Sequence, residues 1–366
     1  MPPRRRPTFT RRAILAGTGA GALAGAALPR FAIAQGTRAL SFTTSWLPEG
    51  PNLFAYVARD KGFWRRRGLE VSVARGAGSG AAAQAVGAGR FDFGMSATPT
   101  VIQQVAKGLK LVAIGQLNYD ALMGVSVLAD SPIVAPKDLE GRSLGSSVGS
   151  GEYLFLPLYA QKAGFDLARV RPVLLDPKVR ERALIERQVD AISGFANTTI
   201  PTLAAEGVKL RVMLFRAAGI EFYGQSLIAR PDRLTDRGLA AAFVQGALEA
   251  VRFTMTNFDE AIDIFLNAND EVAMSKSGPA YARLGLGLTV ATNLGPEIRD
   301  HAVGWADPDK VRRMGEMVLT YATSPGTPMP DIGALFTNDL IGAIRLDAAG
   351  LAGAERAAAP YRIWLG

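Results

Sequence analysis

Short apolar runs separated by stretches of helical period set the rhythm of this chain from residue 40 onward. Runs at residues 40–44, 69–73, 91–94 and 109–115, bounded by turn residues, read as strands. Between the first two, Phe54, Val57 and Ala58 share one face at helical spacing, and Gly62 is placed to end that helix. Residues 81–86 and 99–107 predict two further helices, with Thr98 as N-cap and Pro99 at the first helical position. The alternation βαβαβαβ predicts a parallel sheet with helices on its faces. A strand at 121–128 follows, Ser131-Pro132 interrupts, and a second α/β unit opens near Pro136. Its strands are expected at 143–146, 170–175, 189–194 and 210–215, and its helices at 152–163, 179–188 and 200–206. Residues 222–229 read as a strand returning to the first unit, followed by amphipathic helices at 239–253 and 258–266 and segments out to 344. No internal repeat is visible.

The first 34 residues break that rhythm. Arg4, Arg5, Arg6, Arg11 and Arg12 form a basic start, an uncharged Ala/Gly/Leu run reaches Leu28, and Ala32-Ile33-Ala34 offers a cleavage site. With Thr10-Arg11-Arg12-Ala13-Ile14-Leu15 this reads as a twin-arginine export signal, so a periplasmic location is expected. The apolar run is too short and weakly hydrophobic for a stable span, which favours a cleaved signal over a retained anchor. Gly19-Ala20-Gly21-Ala22-Leu23-Ala24 matches G-x-G-x-x-A, but no strand precedes it, so neither a dinucleotide nor any other cofactor is expected. The segment holds six arginines and no acid, and subtracting them from the formal +8 leaves +2. No basic patch remains to suggest nucleic acid as a partner. With 48% apolar and 8% aromatic residues the chain has an ordinary globular composition. The absence of cysteine excludes thiol nucleophiles, thiolate zinc and iron–sulfur sites. His301 is the only histidine and no D-x-D-x-D-G loop occurs, so no metal is expected either.

Open α/β sheets bind ligands beyond the carboxyl ends of their strands. Trp46 and Glu49 stand in the proline-containing loop after the first strand, with Asn52 at its end. An aromatic side chain in a loop suits a cleft wall, whereas the spacing of Phe54 with Val57 suits the core. Glu49 is either an acceptor for amino or ring N–H groups or a solvated loop acid. Ser96 and Thr98 follow the third strand and Gln116 the fourth; Asn197 takes the equivalent place in the second unit. Gly149-Ser150-Gly151-Glu152-Tyr153 opens a helix, with Ser150 as N-cap and Glu152 in the first turn, where the helix dipole favours an acid. Glu152 reads either as a surface acid or as a cleft acceptor that repels anions. Tyr153 and Phe195 are further aromatic candidates for the wall. Gly76-Ala77-Gly78-Ser79-Gly80 lacks the Lys-Ser/Thr of a phosphate loop and reads as a strand-to-helix turn capped by Ser79.

Several stretches carry a resemblance. They are Trp46-Leu47-Pro48 with Ala58-Arg59-Asp60-Lys61-Gly62-Phe63, Gly68-Leu69-Glu70-Val71, Gly89-Arg90-Phe91-Asp92-Phe93-Gly94, Lys137-Asp138-Leu139-Glu140-Gly141 and Leu335-Phe336-Thr337-Asn338-Asp339. In order and spacing, over residues 40–341, the chain resembles ABC-importer solute-binding proteins of the sulfonate, nitrate and thiamine-pyrimidine group. The resemblance implies the two-lobed α/β fold of a type II periplasmic binding protein with two crossover strands. Residues 37–124 plus 225–366 would form lobe I, residues 125–224 lobe II, and the ligand would lie in the cleft between them. It implies a monomer, not an enzyme, that captures a small-molecule ligand and delivers it to an ABC permease in the inner membrane. Similar segments set the Ser150 hydroxyl and the N–H groups around Gly151 against the ligand. Trp46, Glu49 and Glu152 point to a neutral or cationic nitrogen heterocycle of the aminopyrimidine type, with aliphatic sulfonates or nitrate as the alternative. A eukaryotic pyrimidine synthase looks similar in its first lobe but depends on histidine, lysine and cysteine-rich elements that have no counterpart here. A two-carboxylate hydrolase would use Glu49 and Glu152, without a motif to position a nucleophile. A periplasmic sensor domain would share the fold.

Overall fold

The structure, a computed structural model, describes residues 37–365, so the expected export signal lies outside the described residues. Two five-stranded sheets carry the fold. The first contains β1 (Arg38–Thr43), β2 (Leu69–Ala74), β3 (Phe93–Ala97), β4 (Val112–Gln116) and β10 (Gln225–Ala229), in the order β2-β1-β3-β10-β4. The second contains β5 (Met123–Leu128), β6 (Ser143–Ser146), β7 (Arg171–Leu174), β8 (Ala191–Phe195) and β9 (Leu210–Leu214), in the order β7-β6-β8-β5-β9. Strands β3, β4, β8 and β10 are buried along their whole length, as expected where helices cover both faces.

The sheets are mixed rather than purely parallel. β10 runs antiparallel between β3 and β4, and β5 runs antiparallel between β8 and β9. Each of these strands pairs with partners that lie far from it along the chain. Local periodicity reports the strand but not its partner. The two sheets also repeat one plan although the sequence shows no repeat. Ser41 on β1 gives its N–H and hydroxyl to Asp92, each at 2.8 Å, and Ser143 on β6 gives the same two groups to Asp190 at 2.8 and 2.7 Å.

The helices that matter for the cleft are α1 (Leu53–Asp60), α2 (Ser79–Gly87), α3 (Thr98–Ala106), α4 (Leu156–Ala163), α5 (Arg180–Ile185), α6 (Ala196–Ala204) and α7 (Arg237–Thr256). Residues 53–58 of α1 are all buried, and Phe54 packs on Phe42 in the core rather than on the cleft. α7 starts where the Asp236 side chain accepts the Leu239 N–H, and lays Phe243 flat between Phe93 and Trp64. The Trp64 indole N–H donates to the Phe243 carbonyl at 2.9 Å, so this aromatic stack leaves no orphan donor.

Several predicted helix starts differ: Gly78, not Ser79, occupies the cap of α2, and α6 begins at Ala196 rather than near residue 200. Ala97, not Thr98, occupies the cap of α3, and the Thr98 hydroxyl donates instead to the Gly224 carbonyl at 2.9 Å. The helix predicted over 152–163 divides into a 3₁₀ turn at Tyr153–Phe155 and α4, with Pro157 in the first turn of α4. Ser150 therefore caps no helix. The two chain crossings pair with each other: Ala121 N–H donates to Phe222 O and Gly224 N–H to Asn118 O, both at 2.9 Å.

Candidate functional site

The loop that carries Trp46 is fixed by its own backbone. The Thr44 hydroxyl donates to the Trp46 carbonyl at 2.8 Å, Gly76 N–H reaches the same carbonyl at 3.1 Å, and the Asn52 amide donates to Leu47 O at 2.7 Å. A Cβ on Gly76 would overlap the Thr44 and Ser45 backbone, so only glycine permits this approach. The loop turns the indole and Glu49 toward the second lobe. Glu49 is almost fully buried, and burial, with repulsion from Glu181, holds its carboxyl well above the usual carboxylate range against the pull of Arg180.

Across the cleft stands Arg180, the first residue of α5 and 1% exposed. Its Nε donates to Glu181 at 3.1 Å, Nη2 reaches the same carboxylate, and Nη2 lies 3.4 Å from the Thr199 hydroxyl. Gly194 makes room for it: a Cβ there would sit 3.1 Å from Nη2. The guanidinium carbon lies 5.3 Å from the centre of the Trp46 ring, a cation–π contact between the lobes. Burial alone would lower the guanidinium pKa, but Glu181, Glu152 and Glu49 outweigh it and hold the group charged. Glu152 is fully buried one layer behind, where it accepts from the Ser150 hydroxyl and lies 3.0 Å from the Ser193 hydroxyl.

The lobes meet backbone to backbone where Gly80 N–H donates to Gly149 O at 3.2 Å. Gly78 has a φ of +131° and a Cβ on it would overlap the Gly149 carbonyl. The enclosed space open to the centre of a water molecule is about 20 Å³, little more than one water needs. Two buried acceptors at the cleft, Asn197 Oδ1 and Gln225 Oε1, have no hydrogen-bond partner among the described residues. Such groups are costly unless a ligand or water satisfies them.

Of the residues expected from sequence, the structure brings Trp46, Glu49, Ser150, Gly151, Phe195 and Asn197 to the cavity wall, with Glu152 behind Ser150. Five stand elsewhere. Asn52 holds the Trp46 loop from behind. Ser96 donates to the Ser79 carbonyl at 2.9 Å, Thr98 reaches Gln116 Oε1 at 3.0 Å, and Gln116 donates to Asn118 O at 2.7 Å. Ser96 is held by α2, whereas Thr98 and Gln116 are taken up because β10 inserts beside them and Ser226 bonds to both. Tyr153 lines a separate apolar pocket with Leu144, Leu156 and Val170, since the 3₁₀ turn re-aims it. Sequence reading missed Arg180, Thr198 and Gln225. Arg180 carried one signal, because a cation in the first turn of a helix opposes the helix dipole and calls for a reason. His301 stacks on Trp305 away from the cleft, and no group of three or more metal-ligating side chains occurs among the described residues.

The family described as NMT1/THI5 like matches residues 52–261, more than half of the chain. A Haemophilus influenzae protein named for thiamine biosynthesis is 28% identical over 242 residues, covering 66% of this chain and 75% of that one. The formylaminopyrimidine-binding protein of Halalkalibacterium halodurans is 25% identical over 230 residues, 62% of this chain and 69% of its own. A Legionella pneumophila relative, 24% identical over 59% of this chain and 69% of its own, carries the name 4-amino-5-hydroxymethyl-2-methylpyrimidine phosphate synthase. Among solved structures, the periplasmic nitrate-binding protein NrtA of Synechocystis superposes with a TM-score of 0.62 at 13% identity, covering 84% of this chain and 87% of that one. The chain thus has the two-lobed periplasmic-binding-protein fold, and its fold neighbours are ligand-binding proteins.

Proposed function

Because the chain belongs to the NMT1/THI5-like family, we propose that it is the extracytoplasmic solute-binding protein of an ABC importer and that its ligand is an aminopyrimidine-type heterocycle. In this reading the protein is exported to the periplasm by the twin-arginine route and works as a monomer. Residues 37–124 with 225–366 close as one body on residues 125–224, and the closed form meets an inner-membrane permease without bond making or breaking. One observation carries the ligand class. Around the Trp46 face, Arg180, the one cation lining the cavity among the described residues, stands among Glu49, Glu152 and Glu181. That excess of carboxyl groups over cations suits a flat ring bearing N–H donors and disfavours an anion.

A second reading, capture of an aliphatic sulfonate or nitrate, is favoured by Arg180 Nη1, which has no hydrogen-bond partner among the described residues. A two-carboxylate hydrolase built on Glu49 and Glu152 is disfavoured because Glu152 is engaged by two serine hydroxyls. The test is native mass spectrometry of the purified protein for a co-purified small molecule. It is paired with thermal melts in 4-amino-2-methylpyrimidine derivatives, alkanesulfonate and nitrate. The proposal expects a stabilising shift with the pyrimidine alone and no turnover. A shift with sulfonate or nitrate only, or product formation abolished by Glu152→Gln, overturns it.

A further inference from the structure

We propose that Arg180 makes this cleft select an uncharged ring over a cationic one, because the ligand inserts between the Trp46 indole and the Arg180 guanidinium as the lobes part. The inference rests on the aminopyrimidine reading and sharpens it, since the acids around the cleft would by themselves favour a cation.

Three observations lead here. The guanidinium lies over the indole at 5.3 Å with no layer between them, and the cavity beside them holds about 20 Å³. A heterocycle has no room alongside, so a ring that is to use the Trp46 face has to part these two groups. Arg180 is also held from behind, by Glu181, by Thr199 and by the bare backbone of Gly194. All three anchors belong to the second lobe, whereas Trp46 belongs to the first. When the lobes open, the guanidinium travels with its own lobe and the gap between the two planar groups widens. Finally, the charge on Arg180 is buried at 1% exposure, so water does little to screen it from whatever stacks on it.

A neutral pyrimidine between these walls gains stacking on the indole and cation–π attraction from the guanidinium. A protonated or N-alkylated pyrimidinium gains the first and meets a like charge at stacking distance on the other side. Selection between the two forms therefore belongs to Arg180, not to Trp46 or to the acids.

The test measures binding of 4-amino-2,5-dimethylpyrimidine and of its N-methylated cation by isothermal titration calorimetry, to the full mature chain. Wild type is expected to prefer the neutral probe by about tenfold or more. Arg180→Gln is expected to bring the ratio to one or below it. Arg180→Lys keeps the charge but not the flat face, and is expected to weaken the neutral probe about fivefold while preserving the direction of preference. Circular dichroism establishes that each variant is folded; should the glutamine variant not fold, unchanged affinity for the neutral probe in Arg180→Lys overturns the inference. A wild-type preference for the cation, or a ratio that Arg180→Gln leaves intact, overturns it as well while the ligand reading stands. Binding of neither probe by wild type overturns the aminopyrimidine reading, and this inference falls with it.

Discussion

The first lobe presents Trp46 and Glu49 from the loop after β1, and the second presents Ser150 and Gly151 from the loop after β6, the strand in the same place of the sheet order. Each of these strands is tied to its neighbour by the same serine–aspartate contact. The skeleton is shared; the chemistry is not. Where the second-last residue of β3 is Ser96, that of β8 is Gly194, and the missing side chain is the slot that Arg180 fills. After β3 the Thr98 hydroxyl is taken up by Gly224 and Ser226, whereas Phe195 at the end of β8 and Asn197 beyond it remain at the cavity. The comparison teaches that the fold assigns equivalent addresses, and the neighbouring strand and one or two side chains decide whether an address faces a ligand.

The acids of the two matching loops break this symmetry most sharply. Glu152→Ala removes a buried acceptor from two serine hydroxyls and a counter-charge from Arg180, and should destabilise the protein by about 3 kcal/mol in urea unfolding. Next in size, Trp46→Ala deletes the first lobe's aromatic wall and should weaken ligand binding by about 2 kcal/mol, roughly 30-fold by calorimetry, with little change in melting temperature. Glu49→Gln should act in the opposite sense to the Glu152 change. The Glu49 carboxyl is held up by burial, so the folded state binds more protons than the unfolded one. Its contribution is intact below the unfolded value and is lost as pH rises through the folded value. The glutamine variant should match wild type in acid and melt higher, on the order of 3 °C, at pH 8. The smallest effects test the shared skeleton. Asp92→Asn and Asp190→Asn should each cost about 1 kcal/mol, and similar values would affirm the equivalence of the two sheets. Burial would raise the Asp190 carboxyl, but the Ser143 donors, Arg142 and Arg171 pull it below the usual range. Its stabilisation is present above the unfolded value and lost as pH falls, so the Asp190 deficit should shrink in acid melts.

Much of this was legible in the sequence, and the exceptions have physical causes. Strand-helix alternation and the Trp46 loop are local features, written in spacing and turn residues. The antiparallel insertion of β10 and β5 is a pairing between distant segments, which no local period records. That insertion is also why Thr98 and Gln116 knit the crossings rather than line the cavity. Arg180 was hidden by company, since Glu181, Arg182 and Glu186 stand around it in the sequence and nothing local marks it as the one that is buried. Tyr153 was lost to a turn of 3₁₀ helix that periodicity does not distinguish from α.

The meeting of Gly78 with Gly149 bears on what closure of this protein can report. Peptide groups meet there, Gly80 N–H on Gly149 O, so that contact registers whether the gap has come together. Any occupant thin enough to let the edges touch leaves the same outer contour, and a bulkier one props it ajar. A methyl group added at residue 78 would act as a doorstop, holding the halves apart with the pocket empty.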